Sequence, residues 1–133
     1  MTATRLALAF CVTALLFAAP VAAASKAEVY ARAAPATVLL IVSGGGGVQI
    51  GAGAIVEPSG LVVTNRHVVA GGLAGGKISA FLYDPAERTI DDDLRAWVRA
   101  HEKAALRPEV LGDDANLDLA LLRLPSRAQP YPT

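Results

Sequence analysis

The sequence predicts an all-β fold, an antiparallel β-barrel with one short helical insertion. Three runs rich in β-branched and aliphatic residues carry this prediction, at residues 37–43, 48–57 and 61–65. Residues 58–60 (Pro-Ser-Gly) form a tight-turn sequence between the second and third runs, which is typical of a β-hairpin. Glycines and prolines separate most of the remaining apolar runs, as expected for short strands joined by turns.

A short helix is predicted ahead of the first strand, over residues 25–34. Ser25 can cap its start, and Lys, Ala, Glu and Arg residues that favour helix follow. Pro35 ends it, because the residue before a proline is disfavoured in the helical region.

Two features refine the prediction for the strands. Gly51 and Gly53 lie inside the second strand, which indicates a bulge or a sharp barrel corner there. Residues 77–83 alternate between apolar and polar side chains, as in a half-exposed strand. Residues 108–113 are predicted to return to strand before the chain turns again.

Residues 91–106 depart from the β pattern. Apolar side chains recur there at helical spacing from Leu94 to His101, so we predict a helical insertion. Three consecutive aspartates, 91–93, crowd its start, where the helix dipole favours anions. Their side chains would point in different directions, so we interpret them as a solvated helix terminus and not as a metal site. His101 is predicted to pack beside Trp97.

Composition excludes several classes of function. At 133 residues the chain fits one domain at most. Its 12 Lys and Arg residues balance 12 Asp and Glu residues, so net charge favours neither nucleic acid nor an acidic membrane as a partner. Cys11 is the only cysteine, which excludes an intrachain disulfide framework. Histidine and cysteine spacings do not suggest zinc, and we predict no metal and no cofactor.

Residues 1–24 resemble a secretory signal peptide. Arg5 supplies a positive charge, residues 6–19 are apolar, and the small residues 22–24 offer a cleavage site before Ser25. The apolar run is shorter than the roughly 20 residues that span a bilayer. We therefore expect cleavage and a periplasmic or secreted protein without a stable membrane span; an uncleaved membrane anchor is the alternative.

His67 and Asp118 are the candidate catalytic residues. His67 follows the second strand of the predicted hairpin, at the rim of the sheet. Asp118 precedes the apolar run 119–124, which is predicted to be another buried strand. A histidine and an aspartate that are each tied to the end of a strand suggest a catalytic pair. The alternatives are a structural histidine and an aspartate that only caps a strand.

Both segments have a recognisable family pattern. Residues 64–69 (TNRHVV), preceded by 51–56 (GAGAIV), resemble the histidine segment of trypsin-like serine proteases, especially the bacterial periplasmic HtrA (Deg) family. Residues 118–124 (DLALLRL) are similar to the aspartate segment of that family, and 34–38 (APATV) resemble the start of its first strand. The match covers roughly residues 28–125, and the helical insertion is longer than the family pattern has at that place.

The resemblance implies a fold and a mechanism. Residues 25–125 would form the first of the two antiparallel barrels of the trypsin-like fold, and residues 126–133 a linker toward a second barrel. In this chemistry His67 would be the general acid/base, and Asp118 a buried carboxylate that holds the imidazole in one tautomer. The substrates would be proteins or peptides, with no cofactor.

The nucleophile of the family has no counterpart in the sequence. The family places its serine in a Gly-x-Ser-Gly-Gly segment beyond the aspartate, and these 133 residues contain no such segment. None of the five serines is a strong candidate; they are Ser25, Ser43, Ser59, Ser79 and Ser126. The chain by itself is therefore predicted not to cleave peptides.

Two interpretations of this sequence remain open. In the first, it is the N-terminal part of an exported HtrA-like serine endopeptidase, that is, a fragment or a prematurely ended reading frame. In the second, it is a short, secreted, non-catalytic barrel that binds a protein partner. Both leave an apolar face that a second barrel, another copy of the chain or a partner would cover.

Overall fold

The computed structural model describes residues 23–44, 46–86 and 93–133, and within these ranges the chain forms one β-sheet with short helices against it. The predicted signal peptide lies outside the described residues except for its last two. The strands are β1 (Thr37–Gly44), β2 (Gly47–Glu57), β3 (Leu61–Asn65), β4 (Lys77–Leu82), β5 (Glu109–Asp114) and β6 (Leu119–Arg123). The α-helices are α1 (Lys26–Ala33), α2 (Arg66–Leu73) and α3 (Leu94–Ala100).

All neighbouring strands in the sheet are antiparallel, and their order is β4-β1-β2-β3-β6-β5. The sheet curls into a half-barrel. An isolated bridge links edge strand β4 to the segment ahead of edge strand β5, where Ala80 and Leu106 exchange two backbone hydrogen bonds of 3.0 and 2.8 Å. The prediction of an all-β antiparallel fold with a short helical insertion is confirmed.

The core lies on the concave face of the sheet. Val38, Leu40 and Val42 alternate along β1 with exposures of 0–1%, because every second side chain of a strand faces the same side. Val68 and Val69 of α2 pack onto the same cluster, which ties that helix to the sheet. The other members are Ile55, Val62, Ile78, Ala80, Ala120, Leu122, Leu124 and Tyr131.

Of the two alternatives predicted at Gly51 and Gly53, the bulge is wrong, because both residues pair in regular register with β1 and the shift between β2 and β3 falls between Ile55 and Glu57. The two glycines serve close packing instead. A Cβ atom on Gly51 would lie 2.5 Å from Cγ1 of Val68, and one on Gly53 would lie 2.6 Å from Cγ1 of Val62. Glycine at the first position lets α2 lie directly against β2.

Helix α1 forms where the sequence predicts it. Ser25 and Glu28 make a capping box, in which the Ser25 hydroxyl accepts from the Glu28 N–H at 3.2 Å and the Glu28 carboxylate accepts from the Ser25 N–H at 2.6 Å. A 3₁₀ turn over Ala34–Ala36, which contains Pro35, leads from the helix into β1.

The helical insertion is shorter than predicted. Helix α3 ends at Ala100, and a 3₁₀ turn over Glu102–Ala104 follows. The chain is extended again by Leu106, because this residue pairs with β4. Long-range strand pairing thus overrides the local helical spacing at the end of the segment. None of the helices in the described ranges has the length and apolarity needed to cross a membrane.

Asp93 and His101 have the structural roles that the sequence suggests. The Asp93 carboxylate accepts from the backbone N–H groups of Arg95 and Ala96 at 2.9 and 3.1 Å and so caps α3, whereas the other two aspartates of the cluster lie outside the described residues. The His101 ring stacks on Trp97 with a centroid distance of 4.3 Å. Trp97 in turn meets the edge of Phe81 in β4, so these rings fasten α3 to the sheet.

The C-terminal tail contains a core residue that sequence analysis missed. Tyr131 is only 4% exposed, its N–H donates to the Pro58 carbonyl at 2.9 Å, and its hydroxyl donates to the Pro125 carbonyl at 2.6 Å. The Arg127 guanidinium lies over its ring at 3.9 Å. The tail therefore folds back against the turn between β2 and β3, a contact that the expected linker over 126–133 does not suggest.

Candidate active site

His67 is positioned by the junction of β3 and α2. Strand β3 ends at Asn65, and α2 starts at the next residue, so His67 is the second residue of a helix and not a residue at the end of a strand. This helix has eight residues. Val68 and Val69 of this helix are buried against the sheet. They hold the start of the helix, and with it His67, at the rim of the sheet.

Asp118 lies in the turn that leads into β6. The Asp114 carboxylate accepts from the N–H groups of Asn116 and Leu117 at 2.8 and 3.0 Å, which shapes this turn. Asp118 itself has φ +51°, a left-handed conformation that few residues other than glycine adopt. The turn thereby directs the Asp118 side chain back toward α2.

Strand pairing brings the two candidates together. β3 pairs with β6, and Asn65 lies opposite Leu119, so the residues just beyond these positions are neighbours. His67 Nδ1 is 2.6 Å from Asp118 Oδ2, and the His67 N–H donates to Asp118 Oδ1 at 2.9 Å. An ionised carboxylate can only accept, so Nδ1 carries the proton in this pair and Nε2 is left as a proton acceptor.

Asp118 also caps the N-terminus of α2. Asn65 occupies the N-cap position, but its side chain makes no capping hydrogen bond. The first two N–H groups of the helix donate instead to Asp118: that of Arg66 to its carbonyl oxygen at 3.1 Å and that of His67 to its carboxylate. Because these terminal N–H groups have no partner inside the helix, a carboxylate from a distant turn is stabilised there.

The pair is more open to solvent than the family resemblance implies. The side chain of His67 is 63% exposed and that of Asp118 is 44% exposed, whereas the resemblance implies a buried carboxylate. Both residues lie at the rim of the half-barrel, where β3 ends and β6 begins, and no segment in the described ranges covers them. Water therefore screens the attraction between imidazole and carboxylate.

The hydrogen bonds to Asp118 lower its pKa below the ordinary value of 3.8. The backbone N–H of His67 has the largest effect, and the His67 ring is next. The side-chain amide of Asn65 adds a smaller effect in the same direction. The carboxylate is therefore ionised, and able to orient the imidazole, throughout the neutral range.

This pKa shift predicts how stability depends on pH. A carboxyl group whose pKa is lowered by folding stabilises the fold above its unfolded pKa, and this stabilisation is lost as the pH falls through the folded pKa. In urea unfolding, we expect the free energy of unfolding of the wild type to exceed that of Asp118→Asn by a constant amount above about pH 5. This difference should shrink below about pH 4. If this difference in the free energy of unfolding stayed constant down to acid pH, the lowered pKa of Asp118 would be contradicted.

Two further polar residues surround the pair. The Asn65 side-chain nitrogen donates to the Asp118 carbonyl oxygen at 3.1 Å and to its Oδ2 at 3.2 Å. Arg66 forms an ion pair with Asp113, which ties the start of α2 to β5. No local sequence pattern indicates either contact; the available signal is that Asn65 and Arg66 precede His67 in the TNRHVV motif.

Comparison with known proteins shows the family to which the chain belongs. The family model described as the trypsin-like peptidase domain matches residues 51–133, a range that includes both His67 and Asp118. The chain belongs to this family. The predicted resemblance to trypsin-like proteases is thereby confirmed.

Relatives of the trypsin-like peptidase family place the chain near HtrA-type enzymes. A DegP-like periplasmic serine endoprotease of Rickettsia conorii is 35% identical over 85 residues, which are 64% of this chain and 12% of the relative. An HtrA-type protease solved with a tripeptide is 25% identical and superposes with a TM-score of 0.56 over 81% of this chain and 29% of its own. Deg5, at 17% identity, shares the fold with a TM-score of 0.59 over 80% of this chain and 45% of its own.

The serines of this trypsin-like chain are engaged elsewhere or stand apart from the pair. Ser25 caps α1, the Ser59 hydroxyl donates to Glu57 at 3.1 Å, and Ser79 accepts from Arg107. In the part of the chain that the structure describes, no serine hydroxyl is hydrogen-bonded to His67. The described residues also contain no cluster of three or more histidine, cysteine or acidic side chains suited to a metal ion.

Proposed function

We propose that this chain is the N-terminal portion of an exported HtrA-like serine endopeptidase, in which His67 is the general acid/base and Asp118 orients it. The distance of 2.6 Å between His67 Nδ1 and Asp118 Oδ2 carries the proposal. It supports the arrangement that the chemistry requires, with one imidazole nitrogen fixed by a carboxylate and the other free to exchange a proton.

The proposed mechanism assigns each proton transfer to a stated atom. His67 Nε2 takes the proton of a serine hydroxyl as the serine oxygen attacks the scissile carbonyl, and later donates it to the leaving amine. Asp118 remains ionised and stabilises the imidazolium that forms in between. Its lowered pKa favours this role, because the carboxylate does not compete for the transferred proton.

In this proposal the serine comes from outside the 133 residues. The sequence contains no Gly-x-Ser-Gly-Gly segment, and the exposed pair at the rim of the half-barrel suits a site that a second barrel completes. The chain spans 12% of its Rickettsia relative, a serine endoprotease, and less than half of the two structural neighbours. We infer that residues 25–125 form the first barrel and that 126–133 lead toward the second.

The same relatives and the N-terminal sequence support a proposed substrate and location. A periplasmic endoprotease and an HtrA-type protease solved with a tripeptide support proteins or peptides as substrates. The apolar segment 6–19 and the small residues before Ser25 support export by a cleaved signal peptide. We propose a periplasmic or secreted enzyme that needs no cofactor.

A completed protease tests the proposal directly. The chain is joined after Thr133 to the serine-bearing remainder of the protease domain from the Rickettsia relative, and hydrolysis of fluorescent casein is measured. We expect the hybrid to hydrolyse casein, while the chain alone and the remainder alone do not. Casein hydrolysis by the chain alone would contradict an external serine, and a folded but inactive hybrid would contradict the proposed function.

A non-catalytic, partner-binding barrel is the second candidate. The observation that favours it is a set of exposed leucines on β5, on β6 and in the turn between them, namely Leu111, Leu117 and Leu119, of which Leu117 is 68% exposed. Such side chains suit a protein interface. Under this candidate the hybrid folds and remains inactive, so the same experiment separates the two functions.

A further inference from the structure

We propose that Asn65 is a positioning residue of the site: its side-chain amide holds the Asp118 carboxylate in the rotamer that accepts a hydrogen bond from His67 Nδ1–H. One nitrogen, Nδ2, reaches both the Asp118 carbonyl oxygen at 3.1 Å and the Oδ2 atom at 3.2 Å. Oδ2 is also the atom that lies 2.6 Å from His67 Nδ1. Asn65 thus binds the one carboxylate oxygen on which the orientation of the imidazole depends.

The use of this side chain departs from its ordinary local role. Asparagine at an N-cap normally accepts a hydrogen bond from the second or third N–H of its own helix, which stabilises the helix. Asn65 stands at the N-cap of α2 with extended backbone angles (φ −77°, ψ 141°), yet makes no such bond. Asp118 takes over capping, and this leaves the amide of Asn65 available to donate to Asp118.

The solvent exposure of the pair explains why the Asn65 amide matters as a further hydrogen-bond donor to Asp118. Asp118 is 44% exposed at its side chain, so packing does little to restrict the rotation of its carboxylate. The carboxylate is held by donors from three positions: the His67 ring, the His67 N–H and the Asn65 amide. The amide is the one side-chain donor among them that takes no part in the proton transfer.

The same amide supports the unusual backbone of Asp118. A left-handed conformation at a non-glycine residue is unfavourable and persists only where the surroundings hold it. The Asp118 carbonyl oxygen accepts from the Asn65 amide and from the Arg66 N–H, both at 3.1 Å. Asn65 therefore restrains backbone and side chain of Asp118 together.

Nuclear magnetic resonance of the purified chain tests this inference, which rests on the proposed function for its catalytic meaning but not for its geometry. The sequence has two histidines, so ¹H–¹⁵N spectra contain two imidazole patterns and His101 serves as an internal reference. We expect His67 to populate the Nδ1–H tautomer when neutral and to give a low-field Nδ1 proton when charged. Asn65→Ala should mix the tautomers, weaken the low-field signal and leave His101 unchanged.

Two further variants separate positioning from a structural role. Asn65→Asp keeps the size of the side chain and remains a good N-cap, but an ionised carboxylate cannot donate, so its His67 pattern should match that of Asn65→Ala. Asn116→Ala makes the same change in the turn before Asp118, where only the backbone N–H is engaged, and should match the wild type. Wild-type patterns in both Asn65 variants would overturn the inference.

The casein-cleaving hybrid supplies the second readout. In an active hybrid, Asn65→Ala should lower kcat by up to about 10²-fold, which is the effect of a small displacement of a catalytic group. KM should stay unchanged, because Asn65 acts through Asp118 and does not contact the substrate. An active hybrid whose kcat is unaffected by Asn65→Ala would overturn the inference and leave the proposed function intact. A folded, inactive hybrid whose Asn65 variants still mix the His67 tautomers would support the inference and contradict the function.

Discussion

His67→Ala in the completed hybrid protease is expected to lower kcat on the order of 10⁶-fold, and Asp118→Asn about 10⁴-fold. Removal of the imidazole leaves no group to accept the serine proton. The asparagine variant keeps the shape of the site, but its amide can donate to Nδ1 and so favours the tautomer with a proton on Nε2, which cannot act as a base. The smaller loss for Asp118→Asn follows because the imidazole is present, although in the wrong tautomer, and not absent.

The measurement is kcat and KM for a fluorescent peptide from pH 5 to 9, together with urea unfolding to verify the fold. Glu109→Gln is the matched control, because it also changes a carboxylate to an amide. Glu109 lies at an exposed position on β5 and makes no hydrogen bond to His67 or Asp118. We expect it to retain wild-type kcat. Equal activity of Asp118→Asn and Glu109→Gln would show that Asp118 does not orient the base.

Tyr131→Ala is expected to lower the free energy of unfolding by about 3–5 kcal/mol, the range for truncation of a buried aromatic side chain. The ring is 4% exposed and belongs to the same cluster as Leu124. It covers Gly60, where φ is +90° and a Cβ atom would lie 2.7 Å from the tyrosine Cε2. Truncation would open a cavity beneath the turn between β2 and β3 and release the tail from the barrel.

Two tyrosine variants calibrate this result in urea unfolding. Tyr131→Phe should cost only about 1 kcal/mol, because it removes the hydroxyl hydrogen bond to Pro125 and keeps the ring. Tyr30→Ala, at a side chain that is 63% exposed, should cost about 1 kcal/mol or less. If Tyr131→Ala cost no more than these two variants, the tail would not pack against the barrel in solution.

The cap that Asp118 makes on α2 links the proposed catalytic pair to the folding of this helix. The helix that carries His67 starts with N–H groups that bind Asp118, so the contacts that orient the imidazole also fix the helix. The glycine at position 51 contributes from the other side, since any larger residue would push Val68 and the helix away from β2. The site is thus built from one short helix held between a turn and a strand.

Local sequence patterns were sufficient for most of the secondary structure. Runs of β-branched and aliphatic residues predict β1 and β3, and alternating apolar and polar residues predict β4. A serine followed three residues later by a glutamate marks the start of α1. These features depend on neighbours within a few residues, which is the range over which periodicity and capping operate. The two family segments, around His67 and Asp118, are equally local, so the sequence alone was enough to name both residues and the family pattern.

Contacts between distant residues were decided only by the tertiary structure. The left-handed Asp118, its cap on α2 and the Asn65 amide on its carboxylate all join residues about fifty positions apart, and no local pattern encodes them. Tyr131 is buried because the turn between β2 and β3, more than seventy residues earlier in the sequence, leaves room for its ring. The prolines around Tyr131 give no sign of this contact. The sequence by itself predicted which side chains would carry the proposed chemistry; strand pairing and close packing decided their distances, because these depend on the whole sheet.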